Sequence, residues 1–135
     1  VGQAIVYMMV KPLDKGSKPY NTYIEEKNAI LGELETKAAL IKESFKQMEG
    51  MECYGRTGAM YLFPKINSLP KDITDFEYCM SLLEETGICT VNGGGFGQKL
   101  GTNHLRIAFL PPVESITRFL PEWIRFHNRF IQTPQ

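Results

Sequence analysis

Net charge is missing from this sequence: fifteen basic and fifteen acidic side chains cancel over 135 residues, and they are dispersed along the chain. No basic stripe exists to follow a nucleic-acid backbone, which excludes nucleic acid as a partner. Histidine is scarce. His104 and His127 lie in no local signature of nucleophilic catalysis, and spacing names no partner for either, so both read as structural imidazoles without a catalytic role. The three cysteines, Cys53, Cys79 and Cys89, are odd in number and lack C-x-x-C spacing. They fit buried, reduced thiols better than a disulfide framework or a zinc site, and no metal is expected. No apolar run approaches the roughly 20 residues that span a bilayer. The opening Val1-Gly2-Gln3-Ala4-Ile5-Val6-Tyr7 lacks the charged leader and cleavage site of a signal peptide. No membrane association is expected, and the reading is a cytoplasmic protein.

What is present is the balance of one ordinary domain, 43% hydrophobic and 22% charged. A chain of this length buries roughly two-thirds of the surface its unfolded state exposes, so it needs neither disulfide nor metal to fold. The expectation is a single domain over residues 1–135. An apolar run, Ala4-Ile5-Val6-Tyr7-Met8-Met9-Val10, begins abruptly, with no initiator Met before it, as in a piece of a longer polypeptide. Residues 13–20, with Gly16-Ser17 and two flanking prolines, read as a loop. Thr22 and Glu25 have capping-box spacing, and Ile24, Leu31, Leu34, Ala38, Ile41, Phe45 and Met48 then recur at helical steps up to Gly50. At about 1.5 Å per residue such a helix is roughly 40 Å long and forms the spine of the domain.

Residues 51–54 and 58–64 read as two short strands with a turn at Gly55-Arg56-Thr57-Gly58. Residues 72–86 read as a helix burying Phe76, Cys79, Leu82 and Leu83 and ending at Gly87. Residues 88–91 and 104–110 read as strands joined by the glycine-rich turn Asn92-Gly93-Gly94-Gly95-Phe96-Gly97, and Pro111-Pro112 stops the second. A last helix carries Val113, Ile116, Leu120, Trp123, Ile124, His127 and Phe130 on one face, with Pro121 expected to kink it. The fold class is therefore α+β, a small mixed or antiparallel sheet covered by long helices.

Two features invite chemistry. The glycine cluster could present backbone N–H groups to a phosphate, but its spacing matches neither dinucleotide fingerprint nor P-loop, and it leads into a strand; a tight turn with positive φ angles is the simpler reading. Arg106 sits mid-strand among apolar neighbours, where a lone guanidinium is costly unless it meets an anion. Either an Asp or Glu of this domain or a ligand carboxylate, held through two parallel hydrogen bonds, satisfies it.

The run Tyr78-Cys79-Met80-x-Leu82-Leu83-Glu84-Glu85-Thr86-Gly87-Ile88-Cys89, then Gly95-Phe96-Gly97-Gln98, His104-x-Arg106 and Leu110-Pro111-Pro112-Val113-Glu114, resembles alanine aminotransferase. Gly2-Gln3-Ala4 and Gly58-Ala59-Met60-Tyr61-x-Phe63-Pro64 are similar to the same family in the same order, so the resemblance covers nearly the whole chain. It implies the C-terminal small domain of a fold-type I, class I aminotransferase dependent on pyridoxal phosphate, with residues 1–12 the end of the large-domain portion. It implies that Arg106 binds the substrate's α-carboxylate, that the domain closes over the active site, and that the parent, acting on L-alanine and 2-oxoglutarate, is a homodimer. It also implies that the cofactor lysine and the groups that hold the phosphate and ring lie upstream, in the large domain. No catalytic or cofactor-binding residue is then expected here, and the chain alone should be inactive. Ser17-Lys18-Pro19-Tyr20 imitates the lysine segment, but Pro19 replaces its small residue.

Two turns depart from the family pattern: Tyr54-Gly55-Arg56-Thr57 stands for Asn-Pro-x-Gln, and Asn92-Gly93-Gly94-Gly95-Phe96-Gly97 for Pro-Gly-Ser-Gly-Phe-Gly. They bear on substrate preference more than on reaction class. The alternative function is a free-standing, non-catalytic binding or interaction module with the same fold. In either case residues 4–10, apart from a large domain, would be exposed and prone to self-association.

Overall fold

The computed structural model describes residues 1–132; the last three positions of the expected 1–135 domain lie outside them. Two compact units are present, Val1–Glu33 and Leu34–Gln135. In the first, α1 (Gly2–Val10) has no buried residue, and its apolar side chains, Met9 and Val10 among them, are exposed. Helix α2 (Tyr20–Phe45) begins two residues before the expected Thr22 cap, where the Pro19 carbonyl accepts from Tyr23 N–H, so Thr22 lies within its first turn.

In the second unit, α2 buries Ala38, Ile41 and Phe45 and ends at Phe45, short of the predicted Gly50. Residues 46–48 tighten into bonds to the carbonyls three positions back. Gly50, at φ 70°, then turns the chain into β1 (Met51–Glu52). The two expected strands here do not pair with each other. β1 pairs antiparallel with β3 (Lys65–Ile66), a strand hidden in the sequence behind Pro64. β2 (Tyr61–Leu62) pairs with β5 (Leu105–Ala108), which also pairs with β4 (Val91–Asn92), all antiparallel. The α+β class stands, with the sheet divided into two small antiparallel pieces.

Helix α3 (Asp75–Thr86) starts at a reciprocal cap: Glu77 N–H donates to Thr74 Oγ1 and Thr74 N–H to Glu77 Oε2. Gly87 ends it in the left-handed conformation at φ 75°, as the sequence predicts. Its buried stripe is Tyr78, Cys79 and Leu82, one position round from the expected face, which leaves Phe76 and Leu83 exposed. Helix α4 (Val113–Gln132) runs on through Pro121 as one element, with Pro121 on its exposed side. It buries Ile116, Leu120, Trp123, Phe126 and His127. The cysteines are free, but only Cys79 is buried; Cys53 is half-buried and Cys89 exposed, and the segment 88–90, expected as a strand, lies outside the sheet.

A chain of buried hydrogen bonds joins these helices. Trp123 Nε1–H donates to Tyr78 Oη at 3.0 Å, Tyr78 O–H to His127 Nδ1 at 2.9 Å, and His127 Nε2–H to the Glu49 carbonyl at 2.8 Å. Because the Glu49 carbonyl can only accept, the His127 tautomer is set. Asn128 on the same helix accepts from Glu49 N–H and donates to the Gln47 carbonyl. Phe45 meets Trp123 edge-on at 5.6 Å between centroids. Burial pushes the Tyr78 phenol well above its ordinary range and His127 below its ordinary 6.5. No helix among the described residues is long and apolar enough to cross a membrane.

Two consequences are measurable. His127 is neutral and depressed in the folded state, so below pH 6.5 the unfolded chain binds the extra proton, and stability falls as pH drops. His104 is also depressed, mainly by burial, and adds with the same sign. Urea midpoints should decline between pH 7.5 and about 5.5, and less steeply in His127→Gln; a flat profile contradicts the assignment. The second concerns the glycine run. A Cβ on Gly93 would meet Gln98 Oε1 at 2.4 Å and His104 Cβ at 2.8 Å, whereas one on Gly95 would meet nothing within 4 Å. Gly93→Ala should lose about 1–3 kcal/mol to overpacking, and Gly95→Ala should stay within about 0.5 kcal/mol of the parent in the same urea titration.

Candidate functional site

Strand β5 alternates buried and half-buried positions, with Leu105 and Ile107 in the core and Arg106 and Ala108 on the other face. Register places Tyr61 opposite Ala108 and Val91 opposite Arg106, so Tyr61, Phe63, His104 and Arg106 share that face. The Arg106 guanidinium lies 4.5 Å from the Tyr61 ring centroid and 4.7 Å from that of Phe96. Such contacts contribute roughly 0.5–2 kcal/mol each and use none of the cation's N–H donors. Among the described residues no carboxylate lies within ion-pair distance of Arg106, and none of its guanidinium N–H groups has a protein acceptor. Of the two anions the sequence left open, the internal Asp or Glu is thereby absent among the described residues.

The glycine run frames this face from one side. Residues Gly93–Phe96 form one 3₁₀ turn, and only Gly97, at φ 71°, takes the positive φ expected of the cluster. Gly93 is glycine for closeness, since a Cβ there would collide with Gln98 and His104; its N–H donates to the His104 carbonyl at 2.7 Å. Gly94 N–H donates to Asp75 Oδ2 at 3.2 Å, and Gln98 Nε2 donates to the same oxygen at 2.6 Å. With its first two amides committed inside the protein, the run is no cradle for a phosphate. Gln98 Oε1 accepts from His104 Nδ1–H at 2.9 Å. The imidazole stacks on Phe63 at 5.1 Å and 8°, and Phe63 meets Phe96 edge-on at 5.7 Å. Burial, then Lys65, holds His104 below its ordinary pKa, with Asp75 opposing.

Beside this face a cleft of about 630 Å³ opens between residues 65–75 and 98–103, rimmed by Lys65, Lys71 and Lys99. The other divergent turn, Tyr54-Gly55-Arg56-Thr57, is held from α2, where Lys42 Nζ donates to the Gly55 carbonyl at 3.0 Å. Just before β2, Ala59 adopts φ 51°, a conformation costing a residue with a Cβ about 1 kcal/mol. Lys18 lies on an exposed turn of the first unit, and His127 belongs to the core. No cluster of metal-ligating side chains occurs among the described residues. Sequence reasoning found Arg106 but not its aromatic neighbours. The alternation in Tyr61-Leu62-Phe63 and His104-Leu105-Arg106 was the available signal for them.

Comparison with known proteins is consistent in sequence and in fold. No family model matches the chain. It is 44% identical over 138 residues to a Saccharomyces cerevisiae protein named inactive alanine aminotransferase, covering 96% of this chain and 27% of that one. To alanine aminotransferase 2 of Xenopus tropicalis it is 41% identical over 140 residues, covering 97% and 27%. To alanine aminotransferase 1 of Homo sapiens it is 38% identical over 138 residues, covering 96% and 28%. Among solved structures, alanine aminotransferase from Pyrococcus furiosus superposes with a TM-score of 0.68 at 27% identity, over 76% of this chain and 25% of that one. An aspartate aminotransferase from Rhizobium meliloti, at 21% identity and a TM-score of 0.67 over 93% of this chain and 30% of that one, shows the fold alone. The chain thus spans 27–28% of the length of these curated relatives, and, aligned with them at 38–44% identity over 96–97% of its residues, it belongs to the alanine aminotransferase family as its C-terminal domain.

Proposed function

We propose that this chain acts as the small domain of a pyridoxal-phosphate-dependent alanine aminotransferase, binding the α-carboxylate of L-alanine through Arg106 and closing over the active site. The observation that carries the reading is a half-buried guanidinium, held against Tyr61 and Phe96, whose hydrogen-bond donors have no acceptor among the described residues. A carboxylate can take two parallel N–H bonds from one edge of that cation. The aromatic rings then fix the cation sideways, so the bound amino acid is oriented as well as captured. Pyridoxal phosphate supplies the electron sink and is held by the large domain, to which residues 1–12 also belong in this reading. Lys18, exposed on a turn of the first unit, and a glycine run with committed amides support leaving the cofactor outside this chain. The expected partners are that large domain, a second subunit, and amino-acid and 2-oxo-acid substrates. The compartment in this reading is the cytoplasm, with the mitochondrion the competitor because a yeast relative at 42% identity is named mitochondrial.

A second reading, a domain of this fold without catalysis, is favoured by the name of the Saccharomyces cerevisiae relative, which calls that protein inactive. One experiment separates them. The 135-residue chain and the full-length protein that carries it are each mixed with pyridoxal phosphate, and the visible spectrum is followed on adding L-alanine. The proposal expects a bound-cofactor band, shifted by alanine, only in the longer protein. A band there that alanine leaves unmoved favours the non-catalytic reading, and an alanine-responsive band in the short chain overturns the assignment of the cofactor to the large domain.

A further inference from the structure

Phe63 and Phe96 are 40% and 46% exposed, so core packing alone does not hold their rings; their neighbours must. Of the rings on this face, His104 is the one with a hydrogen bond to the protein among the described residues. That bond is over-determined. Asp75 is buried and its Oδ2 takes Gln98 Nε2 at 2.6 Å; a carboxylate only accepts, so the amide oxygen of Gln98 must turn to the imidazole and Nδ1 must carry the proton. Both tautomer and ring orientation of His104 are therefore fixed from the N-terminus of α3. The absence of a Cβ on Gly93 is what lets Gln98 and His104 close up. From His104 the contact passes to Phe63, stacked at 8°, from Phe63 to the edge of Phe96, and from Phe96 to the guanidinium at 4.7 Å.

We propose that His104, anchored through Gln98 to Asp75, is a positioning residue for Arg106, holding the Phe63–Phe96 wall against which the guanidinium lies. The structural part stands on the contacts alone; its catalytic consequence rests on the reading that Arg106 receives the substrate carboxylate. A guanidinium with a mobile wall keeps its charge but loses the fixed direction of its donor edge, so substrate affinity suffers before turnover does.

The test reads Arg106 itself. In the 135-residue chain, the Nε–Hε resonance of Arg106, assigned by its loss in Arg106→Lys, should lie upfield under the ring currents of Tyr61 and Phe96. His104→Ala, and Phe63→Leu as a second variant at an exposed ring, should each move it part of the way to the position of a free arginine, the Tyr61 contribution remaining. His104→Phe, which keeps a flat ring against Phe63, should hold it closer to the parent. A resonance unmoved in both His104→Ala and Phe63→Leu, with backbone spectra intact, overturns the proposal, as does equal loss in His104→Phe and His104→Ala. In the full-length enzyme, His104→Ala should raise KM for L-alanine about tenfold with kcat within about twofold. If the resonance moves and KM does not, the positioning role stands and the carboxylate role of Arg106 fails.

Discussion

The domain depends on one buried hydrogen-bond chain, from Trp123 through Tyr78 and His127 to the Glu49 carbonyl. All three side chains are at 0% exposure, so each polar atom has lost water and must find its partner inside. An orphaned donor or acceptor at such a site costs about 1–3 kcal/mol, a sizeable part of a domain's net stability. The chain is directional: indole donates to phenol, phenol to imidazole, imidazole to backbone. It ties α3, α4 and the turn after α2 into one frame, and the edge-on contacts of Tyr78 with Phe126 and Phe130 pack around it. Because α3 is held there, its first residue, Asp75, is held too, and the glycine turn, Gln98 and His104 are organised from that carboxylate.

The half-buried face of β5 is built on opposite terms. The core satisfies every donor in its polar chain, whereas Arg106 is left with aromatic contacts and without a hydrogen-bond acceptor among the described residues. Two ring contacts at roughly 0.5–2 kcal/mol each offset part of the cost of desolvating a guanidinium but leave its strongest interactions unmade. A neighbouring carboxylate of the protein would stabilise the fold more and would compete with any incoming anion. The local arrangement trades fold stability for a poised donor edge, the pattern expected where a binding group rests on a rigid scaffold.

Much of the fold was legible from periodicity and end signals, because these are local. The α+β class, the helical stripes of α2 and α4 and the Gly87 stop all follow from spacings within a few turns. What escaped was non-local. β3 is two residues long and is recognisable only through its pairing with β1, and the expected strands of residues 51–54 and 58–64 take their partners on other strands. The Thr74 and Glu77 pair carries a capping signature as clear as that of Thr22 and Glu25, and local pattern alone did not rank them. Arg106 was visible as a charge among apolar neighbours. The Tyr61–Phe96 surroundings and the Asp75–Gln98–His104 chain were not, since each joins residues from separate elements at irregular spacing.

If the fork of Arg106 receives the substrate carboxylate, the kinetics of Arg106→Lys in the full-length enzyme will show it. Lysine preserves the charge and removes the two-bond geometry. With the carboxylate on that fork, kcat/KM for L-alanine falls by roughly 30-fold or more, equivalent to about 2 kcal/mol or more of lost recognition, while the folded spectrum of the domain is retained. A variant with kcat/KM within about twofold of the parent would contradict it, because the carboxylate would then be bound elsewhere.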